Sequence, residues 1–305
     1  MHQKRIFFMS FLFLPIILAQ NPETLLEKGE KELLSGELPN AEIFFKDALK
    51  IDPSFAPALK SLSKLYLFKG DLEKAGDYSN QALSFDEDFR IWSDQIVKLK
   101  TEVENGTNEI RQGRYDEAVK SFESILNTYP YYSYAEYLLG ITRSKQKDLQ
   151  NAAKHFSNAI KIYPDYTKAI KGLERITKQY LNMGNNAYKN GDLTKAMKYY
   201  EKSLEFDPNF HLAYYQLGTL HRKQGNSKLA IFNLNKALEI IPDHEKTWFT
   251  LGVIYEADGL IDQAINHYEK AIEINPGFSK AYGNVGKLYT ERKEYAKAED
   301  LLKII

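Results

Sequence analysis

The prolines of this chain set its frame. Pro130 and Pro164 stand 34 residues apart, and Pro208, Pro242 and Pro276 repeat the same step. The residues around them recur too: DPSF from 52, YPYY from 129, YPDY from 163, DPNF from 207, IPDH from 241 and NPGF from 275. A repeat this short is one supersecondary unit. It cannot bury an apolar face alone, so the chain is constrained to stack its units and share a core between neighbours.

With the proline at position 32, eight units begin at residues 22, 56, 99, 133, 177, 211, 245 and 279. Position 20 is alanine in every unit: Ala41, Ala75, Ala118, Ala152, Ala196, Ala230, Ala264 and Ala298. Position 8 is glycine except at Ser63. Position 24 is aromatic at Phe45, Phe122, Phe156, Tyr200 and Tyr268. Small residues at 8 and 20 let two helices approach closely, and the aromatic positions fill the space between pairs. Gly36, Gly70, Gly113, Gly191, Gly225 and Gly259 share position 15, where a left-handed residue ends the first helix. The proline ends the second, because it lacks an amide donor and pushes the residue before it out of the α region.

These positions together resemble the tetratricopeptide repeat (TPR) family over nearly the whole chain after residue 21. The unit beginning at 245 is the fullest match, with Trp248, Leu251, Gly252, Tyr255, Ala264, Tyr268, Ala271 and Pro276. The resemblance implies an all-α fold, a right-handed superhelical solenoid of antiparallel helix pairs, about eight units long.

Two spacings are too long. The surplus residues are 90–98 (RIWSDQIVK) and 167–176 (TKAIKGLERI). Trp92, Ile96, Leu99 and Val103 continue at helical spacing, as do Ile170, Leu173 and Tyr180, so two first helices are expected to be two to three turns longer. An inserted loop is the alternative. The expected organisation is an export signal over 1–19, units 1–2 over 20–98, units 3–4 over 99–176 and units 5–8 over 177–305. The last unit stops at Ile305, its position 27. Either the chain is truncated there, or Leu301, Leu302, Ile304 and Ile305 dock on another chain or a second copy.

Lys4 and Arg5 precede a fourteen-residue, charge-free and almost wholly apolar run, IFFMSFLFLPIILA, over 6–19. As a helix this run is roughly 21 Å long, short of the ~30 Å of a hydrocarbon core. With Ile17 and Ala19 suited to the cleavage site, it reads as a secretory signal with a mature start at Gln20. A retained N-terminal anchor is the alternative. The expected location is the periplasm or the secreted space, with no membrane span after cleavage.

Charge and chemistry narrow the function. Lys+Arg and Asp+Glu both number 41, which does not favour a nucleic-acid partner. There is no cysteine, so disulfides, thiolate nucleophiles and Cys-based zinc sites are excluded. His2, His155, His211, His221, His244 and His267 fall in no metal-ligand spacing, and no nucleophile elbow, phosphate loop or calcium loop is present. No catalytic residue, metal or cofactor is expected.

In the family resembled, first-helix positions 2, 5, 9, 12 and 13 line a concave groove. Carried over, they give Tyr134, Tyr137, Lys178, Asn185, Tyr188, Lys189, Tyr215, Arg222, Lys223, Lys246, Phe249, Lys280 and Lys287. Such a face suits an extended or helical peptide with acidic groups, held by charge-assisted hydrogen bonds and aromatic anchors. The plainer reading is a row of surface lysines and stacking tyrosines. The family's five-residue clamp for chaperone C-termini is not met: Asn185 and Lys246 match it, but Leu181, Gln216 and Thr250 do not. The expected function is a non-catalytic scaffold or adaptor of the cell envelope or secreted space. The alternative is a module that binds envelope polysaccharide or peptidoglycan.

Overall fold

The computed structural model describes residues 21–302. The export signal expected over 1–19, and Ile304 and Ile305, lie outside the described residues. Sixteen α-helices run in consecutive pairs, with one short 3-10 turn at Glu87–Phe89 and no strand among the described residues. The first helices of the eight repeats are α1 (Pro22–Ser35), α3 (Ala56–Phe68), α5 (Arg90–Arg111), α7 (Ser133–Lys145), α9 (Thr167–Lys189), α11 (His211–Lys223), α13 (Glu245–Ala257) and α15 (Ser279–Glu291). The second helices are α2 (Leu38–Ile51), α4 (Leu72–Phe85), α6 (Tyr115–Thr128), α8 (Leu149–Ile162), α10 (Leu193–Phe206), α12 (Ser227–Ile240), α14 (Ile261–Ile274) and α16 (Tyr295–Leu302). The described residues form two compact units: residues 21–146 with 158–166, and residues 147–157 with 167–302.

Each repeat position has a visible physical cause. A methyl group at Gly106 would lie 2.6 Å from Phe122 Cε1, one at Gly218 2.6 Å from Leu234 Cγ, and one at Gly252 2.5 Å from Tyr268 Cδ1. In repeats 1, 3, 5, 6 and 7 the position-24 side chain of the second helix therefore packs directly on the position-8 glycine of the first. The position-20 alanines from Ala41 to Ala264 are fully buried. Position 27 is alanine in five repeats, and where repeat 5 has Ser203 instead, that residue is buried and donates to Thr177 O at 3.0 Å.

The turns follow the same logic. All six position-15 glycines have positive φ, from 74 to 87°. Repeats 4 and 8 have no glycine there, and Lys147 and Lys293 take the left-handed conformation at φ 63° instead. Second helices are opened by Asp71, Asp192 and Asn226, whose side chains accept from Lys74 N, Lys195 N and Leu229 N. These caps answer amides that the helix itself leaves free.

The surplus residues are helical, as part of α5 and α9, with 22 and 23 residues against 13 for α3, α7, α11, α13 and α15. Both extensions pack onto the preceding repeat. In α5, Ser93 donates to Asn80 Oδ1 at 3.1 Å, and Trp92 Nε1 donates to Ser63 Oγ at 3.0 Å. In α9, Gly172 receives the ring of Phe156, 2.8 Å from where a methyl would sit.

Candidate functional site

The sequence-derived groove residues fall in both compact units. In the first, Tyr134 and Tyr137 stack with ring centroids 6.0 Å apart, and Tyr137 tilts against Tyr166 at 5.6 Å. Tyr132 meets Tyr134 edge-on at 6.1 Å, and Tyr163 stacks on Tyr166 at 6.0 Å. Tyr134 and Tyr137 are half-buried against the core of that unit, and burial pushes the Tyr134 hydroxyl pKa up. Their ring area is thus largely spent on internal packing.

The other eleven residues belong to the second unit, on α9, α11, α13 and α15. Contacts between successive first helices place several of them side by side. Lys223 Nζ of α11 sits 4.7 Å above the Tyr188 ring of α9. Lys287 Nζ of α15 lies 3.1 Å from Glu256 Oε1 of α13. Asn185 accepts the Tyr200 hydroxyl at 2.9 Å, so its amide is partly spoken for.

Aromatic and cationic members of the face differ. Tyr215 packs edge-on against His244 at 5.1 Å, and Phe249 tilts against Phe278 at 5.0 Å. Tyr137 and Tyr166 form the corresponding pair in repeat 4. In each, the aromatic at position 5 packs against position 34 of the same repeat, the residue just before the next first helix. Sequence reasoning missed this pairing, although its signal was present: Phe55, Phe89, Tyr132, Tyr166, Phe210, His244 and Phe278 put an aromatic ring at position 34 throughout. These rings tie one repeat to the next.

The cations behave otherwise. Lys178, Lys189, Arg222, Lys223, Lys246, Lys280 and Lys287 are all exposed. Among the described residues only Lys287 makes an ion pair, with Glu256 and with Glu291 at 3.8 Å. Burial raises the Glu256 pKa, but hydrogen bonds from Tyr268 (2.7 Å) and Lys287 outweigh it and keep the carboxylate charged. At the groove positions of repeats 5–8, seven cations therefore face two carboxylates, Glu256 and Glu291. Leu181 and Thr250, which replace clamp residues, are buried, and Thr250 donates to Lys246 O at 2.7 Å.

A second polar cluster, also missed from sequence, lies in the first unit. Glu42 accepts from Lys46 at 2.5 Å, from Tyr66 at 2.8 Å and from Lys69. Burial raises its pKa, yet these three donors hold it down to about 2. Tyr66 stacks on Tyr78 at 5.4 Å, and the Lys74 ammonium sits 5.1 Å from the Tyr66 ring. The donors join α2 to α3, so the cluster is a joint between repeats. Among the described residues, no group of three or more His, Asp or Glu is placed to hold a metal, and no helix is long and apolar enough to cross a membrane.

Comparison with known proteins agrees with the repeat frame. Five family models described as tetratricopeptide repeat match residues 56–89, 103–167, 177–210, 209–277 and 255–305. Chicken (Gallus gallus) DnaJ homolog subfamily C member 3 is 28% identical over 107 residues, 34% of this chain and 21% of that protein. The mouse (Mus musculus) protein is 31% identical over 123 residues, 39% of this chain and 23% of its own length. The chain thus spans under a quarter of these relatives. A solved structure of the first TPR of Spaghetti bound to an HSP90 peptide is 19% identical, with 38% of this chain and 93% of that one aligned at a TM-score of 0.37.

Proposed function

The chain belongs to the tetratricopeptide repeat family, and on that footing we propose that it is a non-catalytic scaffold that holds acidic peptide segments of other proteins along repeats 5–8. One observation carries this reading: the exposed row Lys178, Lys189, Arg222, Lys223, Lys246 and Lys280 has no ion pair among the described residues. Unpaired cations on successive first helices supply charge-assisted donors at regular spacing, and an extended carboxylate-bearing chain is their complement. The half-buried Tyr188, Tyr215 and Phe249 contribute ring edges beside the cations, and Asn185 one amide.

The polysaccharide alternative needs free aromatic faces for sugar rings. Tyr215 and Phe249 are already packed against His244 and Phe278, so the cationic reading is favoured. The location in the exported space rests on the basic and apolar residues 4–19 alone. N-terminal sequencing of the protein from its host tests it, with Gln20 as the expected first residue.

The binding test is fluorescence polarisation with a labelled glutamate-rich dodecapeptide. The expected result is saturable binding that weakens as salt rises, because exposed charges are screened over about 8 Å at physiological ionic strength. Paired charge reversal, Arg222→Glu with Lys223→Glu, should weaken it by about tenfold or more. Binding that ignores both salt and this double substitution would sink the proposal.

A further inference from the structure

The two lengthened first helices differ in charge. Over its 22 residues α5 carries four cations and four carboxylates. Over its 23 residues α9 carries five cations and one carboxylate, Glu174. In α5 the charges answer one another: Arg90 pairs with Glu87 of the turn before it, and Lys98 lies 3.7 Å from Glu102. The second helices of repeats 5, 6 and 7 do the same, with Lys202–Glu205, Lys236–Glu239 and Lys270–Glu273 at 2.6–2.8 Å. In α9, none of Lys168, Lys171, Arg175, Lys178 and Lys189 makes an ion pair among the described residues.

Most of these cations share one face. Lys168, Lys171, Arg175, Lys178, Asn182 and Asn186 follow one another by three or four residues, so they form a single stripe along α9. All six are exposed, and the Asn182 and Asn186 amides make no side-chain hydrogen bond among the described residues. Lys168, Lys171 and Arg175 lie in the extension, outside the repeat, so no groove position of the family corresponds to them. Their own helix does not favour them either. A helix dipole is positive at its N-terminus, and the first turn of α9 has no acidic residue. Positive charge therefore accumulates at that end, with Glu174 alone against it.

We propose that the outer face of α9 docks an acidic α-helix of a partner protein, laid along α9 with carboxylates at the same three- and four-residue steps. Charge selects the partner, and spacing selects its conformation. Successive cations from Lys168 to Lys178 are about 4.5–6 Å apart along the axis. A helix with glutamate at i, i+3, i+7 and i+10 repeats those steps, as the flanking charges of paired helices do. An extended strand places same-side residues about 6.8 Å apart and falls out of register. Asn182 and Asn186 continue the stripe with further donors and acceptors. This occupant runs along one helix, whereas the acidic segment held by repeats 5–8 crosses four. Lys178 is common to both, and the proposal does not rest on that reading.

The test uses the full chain carrying Arg222→Glu and Lys223→Glu, so that the basic row of repeats 5–8 does not compete. The probe is a fluorescein-labelled, alanine-rich 18-residue helix with glutamate at those four positions. Fluorescence polarisation should show saturable binding that weakens as salt rises. Adding Lys171→Glu with Arg175→Glu should weaken it by about tenfold or more, and the neutral pair Lys171→Gln with Arg175→Gln by about threefold. The matching reversal on α5, Lys98→Glu with Lys100→Glu, should change it by less than about twofold. A probe with proline at its centre, which breaks the helix, should bind about tenfold more weakly. Because Lys171 and Arg175 are exposed, both α9 variants should melt with the parent by circular dichroism, separating lost binding from lost folding. The proposal fails if the helical probe does not bind, if the proline probe binds equally, or if the reversals on α5 and α9 act alike. It also fails if the chain binds phosphatidylserine vesicles more tightly than the probe and the α9 reversal abolishes that binding, since a lipid surface then takes the stripe.

Discussion

The indole N–H of Trp92 donates to Ser63 Oγ at 3.0 Å, and that hydroxyl donates to Ala75 O at 2.7 Å. Repeat 2 has serine at both positions where the other repeats pair a glycine with a large side chain: Ser63 at position 8 and the buried Ser79 at position 24. Trp92 comes from the extension of α5 and reaches the position-8 site from the following repeat. The extension and the two serines are therefore one feature, and the lengthened helix supplies an aromatic that its neighbour lacks.

Removing that side chain should be felt across the first unit. Trp92→Ala should cost about 2–4 kcal/mol, the range for a large aromatic lost from a partly relaxing site. Trp92→Phe keeps most of the area and loses the hydrogen bond, at about 1 kcal/mol. Urea denaturation followed by circular dichroism measures both. A loss for Trp92→Ala no greater than for Trp92→Phe would show that packing contributes little there.

Much of this was legible in the sequence because a repeated unit states its own rules. Eight alanines at position 20 and glycines at position 8 signalled close helix contact, and the structure supplies what Gly29, Gly106, Gly184, Gly218 and Gly252 face: Phe45, Phe122, Tyr200, Leu234 and Tyr268. What stayed hidden were pairings between repeats, which periodicity does not encode. Ser63 looked like a conservative exception, and its link to Trp92 depends on how α5 lies on α3. Tyr134, Tyr215 and Phe249 shared groove positions with the lysines, but only their half-buried packing separates them from the exposed cations. The Glu42 cluster joins residues 24 and 27 positions apart on different helices, beyond any local pattern.

Glycines of one chain should respond to alanine with opposite signs. Gly106→Ala puts a methyl 2.6 Å from the buried Phe122 ring, and overpacking of that kind costs about 1–3 kcal/mol. Gly283 lies inside α15, and a methyl there would meet nothing within 4 Å, so Gly283→Ala should add about 0.5–1 kcal/mol through helix propensity. Thermal melts of the two variants should move in opposite directions.

Glu42 should make the first unit sensitive to acid. Its folded pKa of about 2 lies below the ordinary 4.5, because the Lys46, Lys69 and Tyr66 hydrogen bonds outweigh the burial that raises it. A depressed pKa contributes stability that is full above the unfolded value and is lost as pH falls through the folded one. The contribution is therefore present above about pH 4.5 and gone near pH 2, with a ceiling of about 3 kcal/mol. Glu42→Gln should be less stable than the parent at pH 7, and the two should converge as pH falls towards 2. Parallel stability curves across that range would rule the linkage out.

The second unit carries a different titration. His211 and His244 meet edge to face at 5.5 Å, and His244 Nδ1 lies 2.6 Å from Thr247 Oγ1. Burial lowers the His211 pKa, with Asp207 opposing it. Burial lowers the His244 pKa first, the charge on His211 adds to the effect, Glu245 opposes it and Lys246 reinforces it. A folded pKa below the unfolded 6.5 means that the unfolded chain takes up protons more readily there, so stability is full above about pH 6.5 and falls as pH drops through the folded values. Tyr215 packs on His244, so the strain of protonation falls where α11 meets α13, beside Arg222 and Lys246. The parent should lose stability between neutral pH and the folded values, and a His211→Gln, His244→Gln double variant should lose less over the same interval. Resolved histidine signals in an NMR titration would give both pKa values directly, and values at or above 6.5 would overturn the coupling.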